Sequence, residues 1–156
     1  MNIIFTRPLI DAEDLMTNFF SSNYKVIHLP TLSITSANME PINVKEFDGL
    51  IFTSANAVRF LQLKNDEKNI KCFCVGNITE RSLRLKGFTN TVAASGTVNA
   101  LKNIILNSEK KIKNLAYLCG DVVSYDLDKD LKLSGFKVKK IINSVSYTHL
   151  TLPTKA

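Results

Sequence analysis

Between Asp48 and Phe60 an apolar run, Gly49-Leu50-Ile51-Phe52, passes straight into a helical pattern that starts at Ala55, with only Thr53-Ser54 at the join. The run reads as a buried strand. The polar step after it leaves hydroxyls and free backbone N–H groups at the strand's carboxyl end, where open α/β sheets place their ligands. The pattern returns at Lys71-Cys72-Phe73-Cys74-Val75-Gly76-Asn77-Ile78-Thr79. A chain with two such joints is expected to build a site from strand ends.

Apolar runs bounded by turn residues place strands at Asn2–Thr6, Lys25–Leu29, Gly49–Ser54, Lys71–Gly76, Thr91–Ala94, Leu115–Gly120 and Lys137–Ile142. Helical spacing fills the intervals at Asp11–Phe20, Ala55–Leu63, Thr79–Lys86, Val98–Leu106 and Ser124–Leu133. This alternation predicts an α/β protein with parallel sheets. One segment breaks the rhythm. His28-Leu29-Pro30-Thr31-Leu32-Ser33-Ile34-Thr35 alternates apolar and polar residues around a proline and leads to Met39-Glu40-Pro41, as an extended connector does. The expected division is a short βαβ piece at 1–33, a connector at 34–40 and an α/β domain at 41–143 with a five-stranded parallel sheet. A βαβ piece of that size cannot bury both faces of its strands, so it needs further chain to complete it.

With 45% apolar residues in 156, the chain can bury a real core. No apolar run approaches membrane-spanning length, and the N-terminus lacks a basic-then-apolar leader, so a soluble, cytoplasmic protein is expected. Cys72, Cys74 and Cys119 read as reduced, small core residues, and with only His28 and His149 beside them no metal site is expected. The formal charge of +6 favours anionic partners, although lysines on solvated helix faces account for most of it. Nucleic acid is disfavoured because no basic run is interleaved with aromatics. A small polyanion fits.

Familiar catalytic motifs are missing. Thr6-Arg7-Pro8 stands where a dinucleotide fold would carry G-x-G-x-x-G, and no phosphate-binding lysine loop occurs. Ser54 lies outside any G-x-S-x-G elbow. Asp126, Asp128 and Asp130 lack the Gly and Glu of a calcium loop and read as a helix start. What remains is a set of helix N-termini: Ser54 before Ala55, Asn77 or Thr79 on the next helix, and Gly120-Asp121 opening another. Capping accounts for each one singly. Together, at one sheet edge, they form a row of N–H donors suited to carboxylates, and Arg7 after the first strand adds a possible bidentate clamp.

Taken in order, these residues resemble the uroporphyrinogen-III synthase family. The resemblance rests on Thr6-Arg7-Pro8, Pro30-x-Leu32-x-Ile34, Asp48 through Val58, Val75-Gly76-Asn77-x-Thr79, Lys86-Gly87-Phe88, Gly96, Cys119-Gly120, Asp126-Leu127, Leu131 and Gly135. It implies a two-domain fold with parallel flavodoxin-like sheets and a two-stranded connector, one domain nearly complete here and the other only partly present. It also implies a lyase of haem biosynthesis that works as a monomer without metal or organic cofactor. The family closes linear hydroxymethylbilane, removes water and inverts the last pyrrole ring. Thr79 matches a cleft position whose hydroxyl could sit near the departing water. Arg7, Thr53, Ser54, Asn56, Gly76, Asn77 and Gly120 match positions along the substrate's edge. The competing class is a non-catalytic α/β module that binds a small anion or a protein partner through the same helix ends.

The chain departs from that pattern at its end. Val145-Ser146-Tyr147-Thr148-His149-Leu150-Thr151-Leu152-Pro153-Thr154 resembles one reading frame of a transposon-derived sequencing adapter. The expectation is a non-native tail at 144–156 on a truncated, inactive copy; a natural β-rich tail is the alternative. The family carries a cleft tyrosine nine residues beyond the glycine matched by Gly135, and Ser144 stands there instead. Ser124-Tyr125 also occupies a place where many relatives have an arginine before the Asp-Leu pair.

Overall fold

In the computed structural model, which describes residues 1–148, the apolar runs form strands and the spaced segments form helices. Among the described residues the chain divides into two units, Met1–Thr35 with Ser146–Thr148, and Ser36–Val145. In the smaller unit β1 (Asn2–Phe5) leads through Pro8 into α1 (Leu9–Ser21) and then β2 (Lys25–His28). Pro8 occupies the cap position, where its lack of an N–H costs nothing. The two strands pair in parallel from Asn2↔Lys25 to Phe5↔His28. Phe19 packs edge-on against Tyr24 and tilted against Phe5, fixing the helix over the strands. Ile4, Leu9, Ile10, Leu15, Phe20 and Leu29 nevertheless remain more than half exposed, so this unit carries far more apolar surface than it covers.

A six-stranded sheet runs in the order β3 (Leu32–Ser36), β8 (Lys137–Thr148), β7 (Asn114–Gly120), β4 (Gly49–Phe52), β5 (Lys71–Val75), β6 (Thr91–Ala94), and β4 to β7 lie wholly in the larger unit. Strands β4 to β8 pair in parallel throughout. Period-two alternation sorts their side chains into two cores. Leu50, Phe52, Cys72, Cys74, Ala116 and Leu118 meet α2 (Ala55–Arg59) and α3 (Asn77–Leu85) through Ala57, Val58 and Leu83. Ile51, Phe73, Leu115, Tyr117 and Cys119 meet α4 (Val98–Leu106) and α5 (Leu127–Leu133) through Leu101, Ile105, Leu127 and Leu131. With helices on both faces the central strands must be apolar at every position, and Gly49–Phe52 is buried throughout.

The chain winds outward from β4 to β6, then returns to the other side of β4 for β7 and β8. Its order of strands therefore reverses between β4 and β7. Counted from β4 the order is 3-2-1-4-5, not the flavodoxin-like 2-1-3-4-5, because the chain adds two strands on one side before it crosses back.

Other local expectations are also corrected. The stretch from Leu32, read as a connector, joins the sheet as an edge strand, and the Ala37 N–H continues toward β8 by donating to the Asn143 carbonyl at 3.0 Å. Helix α2 ends at Arg59 instead of Leu63, since Leu63 is drawn into a parallel bridge with Ile42 and the Lys86 ammonium takes up the carbonyls of Arg59 and Leu61. Helix α5 starts at Leu127 instead of Ser124. Gly120-Asp121 opens no helix; the Asp121 N–H donates to the Ser144 carbonyl at 3.0 Å, and the next helix begins at Leu127. β8 runs past Ile142 to Thr148, and the part of the expected tail at 149–156 lies outside the described residues.

Candidate functional site

Because β4 to β8 all point the same way, their C-terminal ends share one edge of the larger unit, and the polar joints collect there. At the end of β4, Ser54 is an extended cap whose hydroxyl accepts the Ala57 N–H at 3.4 Å. The hydroxyl of Thr53, half-buried, lies 3.2 Å from that of Tyr117 on β7. Asn56, in the first turn of α2, is held through its side-chain carbonyl by the Arg59 guanidinium.

At the end of β5 the cap of α3 is Gly76, not Asn77 or Thr79. Its φ of 78° and ψ of 157° lie in a region essentially reserved for glycine, so no side chain caps this helix and the first-turn N–H groups stay open to a ligand. Asn77 is exposed beside them, whereas Thr79 is 4% exposed and faces inward from the first turn. After β6, Thr97 caps α4 by accepting the Ala100 N–H, a cap not among those expected from the sequence. Gly120 ends β7 opposite Ser144 of β8, at a break in register.

Arg7 belongs to the smaller unit, where its carbonyl bonds the His28 ring. The structure thus gathers Thr53, Ser54, Asn56, Gly76, Asn77, Thr79 and Gly120 along one edge of the larger unit, with Arg7 outside that group.

Three further residues belong to this edge. Tyr117 is 1% exposed; burial raises its phenol above the usual range, and the bond to Thr53 only partly offsets that. Asn143 is fully buried and its amide donates to the Ala57 carbonyl at 2.6 Å, tying β8 to α2. Ser144, where the resemblance implies a cleft tyrosine, is buried and receives the Asp121 N–H on its carbonyl. A tyrosine inside the apolar run Leu115–Cys119 was a visible signal, but the register that sets Tyr117 level with Ile51 was not.

The three cysteines belong to the cores on the two faces of the sheet. All three are buried and form no disulfide, and burial pushes Cys72 to about 12 and Cys74 and Cys119 to about 11, so none supplies a thiolate near neutrality. A groove of about 890 Å³ lies at the opposite, N-terminal edge, between Phe47, Asp48, Lys68, Lys71, Glu109 and Lys111. There Lys68 pairs with Asp66 and Lys111 with Glu109, which leaves little net charge, and strand N-termini offer no converging helix ends. The chemistry favours the C-terminal edge.

The family model for uroporphyrinogen-III synthase HemD matches residues 14–143. Among solved structures, the uroporphyrinogen-III synthetase of Helicobacter pylori is similar at a TM-score of 0.62 and 21% identity, over 97% of this chain and 65% of that one. A mutant uroporphyrinogen III synthase of the extremely thermophilic bacterium Thermus thermophilus is similar at 0.61 and 15%, over 95% and 63%. The chain therefore spans less than two thirds of the length of these structures. No curated protein is significantly similar to it. The family match covers both the Thr53-Ser54 joint and the Gly76–Thr79 joint, and the chain belongs to the uroporphyrinogen-III synthase family.

Proposed function

We propose that the protein, at the length of its relatives, is a uroporphyrinogen-III synthase of haem and tetrapyrrole biosynthesis. It closes hydroxymethylbilane, removes water and inverts the last pyrrole ring, without a cofactor. The family match over residues 14–143 carries this reading. The donor row on the C-terminal edge supports it: the substrate bears eight carboxylates, and open helix N-termini with flanking hydroxyls bind carboxylates. The reading includes a domain division at 1–33, 34–40 and 41–143. It also takes the protein to be a cytoplasmic monomer with no nucleic-acid or membrane partner; among the described residues no helix is long and apolar enough to cross a membrane.

The reaction loses a hydroxyl to give an electrophilic azafulvene, then directs one ring carbon onto it. Holding the bilane folded does much of this work by proximity. In our reading Ser54, Gly76, Asn77 and Gly120 present N–H and hydroxyl donors to carboxylates, and Asn56 orders the first turn of α2. Thr79 acts near the departing water by hydrogen bonding, since a threonine hydroxyl is too weak an acid for outright proton transfer. An isomer-resolved assay of the full-length protein on hydroxymethylbilane tests the proposal. Conversion to the type III isomer, reduced at least about tenfold by Thr79→Val and largely kept by Thr79→Ser, is the expected result. Binding of the bilane without turnover would instead identify a non-catalytic anion-binding module.

A further inference from the structure

Strand β7 carries a phenol deep inside an apolar run. Tyr117 is 1% exposed and packs among Ile51, Leu115, Cys119 and the residues of α4 and α5. Placing a tyrosine there costs the desolvation of its hydroxyl, a cost that phenylalanine at the same site avoids. The hydroxyl needs a partner, and the structure supplies Thr53 Oγ1 at 3.2 Å. Either hydroxyl can donate in this pair, and the arrangement that satisfies the buried phenol proton has Tyr117 donating to Thr53. The threonine accepts with one lone pair and keeps its own proton for the strand edge.

The position of the pair adds to this. Thr53 directly follows β4 and Tyr117 lies on β7, and the sheet reverses its order between these two strands. Ligands of open α/β sheets bind in the crevice at that reversal, outside the carboxyl ends. Hydrogen bonds in series polarise one another, so a threonine that accepts from a phenol donates more strongly than an isolated one. Burial keeps Tyr117 protonated and therefore able to donate throughout the neutral range.

We infer that Tyr117 and Thr53 form a two-hydroxyl relay at the reversal of the sheet, with Thr53 donating to one substrate carboxylate and Tyr117 orienting Thr53 from below. The inference rests on the proposed tetrapyrrole reading for the identity of that carboxylate. Tyr117 is a positioning residue and Thr53 the contacting one. The contact persists from ground state to transition state, so its loss appears in KM, not kcat.

The test uses the full-length protein with Tyr117→Phe, Thr53→Val, both together, and Thr53→Ser, each near in shape to the original. Expected are a KM for hydroxymethylbilane raised about fivefold to tenfold in Thr53→Val and about threefold to fivefold in Tyr117→Phe, with kcat within about twofold. Because Tyr117 acts through Thr53, the double variant should be no worse than Thr53→Val, and Thr53→Ser should stay near the parent. A tyrosine with a merely structural role lowers the denaturation midpoint in Tyr117→Phe and leaves KM alone, which overturns the inference. Multiplying KM effects in the double variant overturn it as well. A parent that fails to convert hydroxymethylbilane overturns the functional reading and this inference together, whereas a converting parent with unaffected variants overturns this inference alone.

Discussion

Asp48 stands before β4, and its carboxylate Oδ2 accepts the N–H groups of Lys113 at 2.9 Å and Asn114 at 2.8 Å, while its own N–H donates to the Asn114 carbonyl at 2.7 Å. It thereby locks the start of β4 to the start of β7, the pair that flanks the reversal of the sheet. Hydrogen bonds to a charged group are worth about 1.5–3 kcal/mol each when shielded. Here the carboxylate is exposed and one oxygen serves both donors, so Asp48→Ala should cost about 1–2 kcal/mol in all. For a domain of this size that lowers the melting temperature by about 3–8 °C.

The Asn114 bond, then the Lys113 bond, hold the carboxyl below its usual range. A carboxyl lowered by folding adds stability above its unfolded value of about 3.9 and loses it as the pH falls through the lower folded value. Urea unfolding should therefore show the full gap between parent and Asp48→Ala at about pH 7, closing below about pH 4. Hydrogen exchange should report lost protection at the amides of Lys113 and Asn114. A gap unchanged at about pH 3, or no gap at neutral pH with both amides still protected, would refute the reasoning.

Gly76 tests whether backbone strain alone guards the α3 terminus. A Cβ there meets nothing within 4 Å, so Gly76→Ala should cost about 1–3 kcal/mol purely through the backbone, and Gly76→Asn no less, as urea midpoints will show. The folded chain should resist alkylation at all three cysteines at about pH 8 and react at each in denaturant, because their thiols are held above the ordinary range; rapid labelling of the native protein would contradict this. Asn143→Ala should cost about 1–3 kcal/mol in urea by stranding the Ala57 carbonyl in a buried place, with Asn143→Asp worse at neutral pH because it buries a charge.

The apolar runs and their spacing were enough to place every strand except β3, the parallel pairing and the cap at Ser54, because each depends on a few neighbouring residues. Terminal positions were less legible. Whether α2 stops at Arg59 depends on Ile42 and Lys86, both distant in sequence. Gly76 reads as the end of a strand in the sequence, but that it displaces Asn77 as the cap is a matter of φ and ψ. The strand-end joint at Thr53-Ser54 was plain from the chain itself. Its partnership with Tyr117, 64 positions away, was not, nor was the tie from Asn143 to Ala57. Local pattern states which face of a strand is apolar, but pairing order and register decide which two hydroxyls come to lie side by side, and those are settled by burying both faces of the sheet at once.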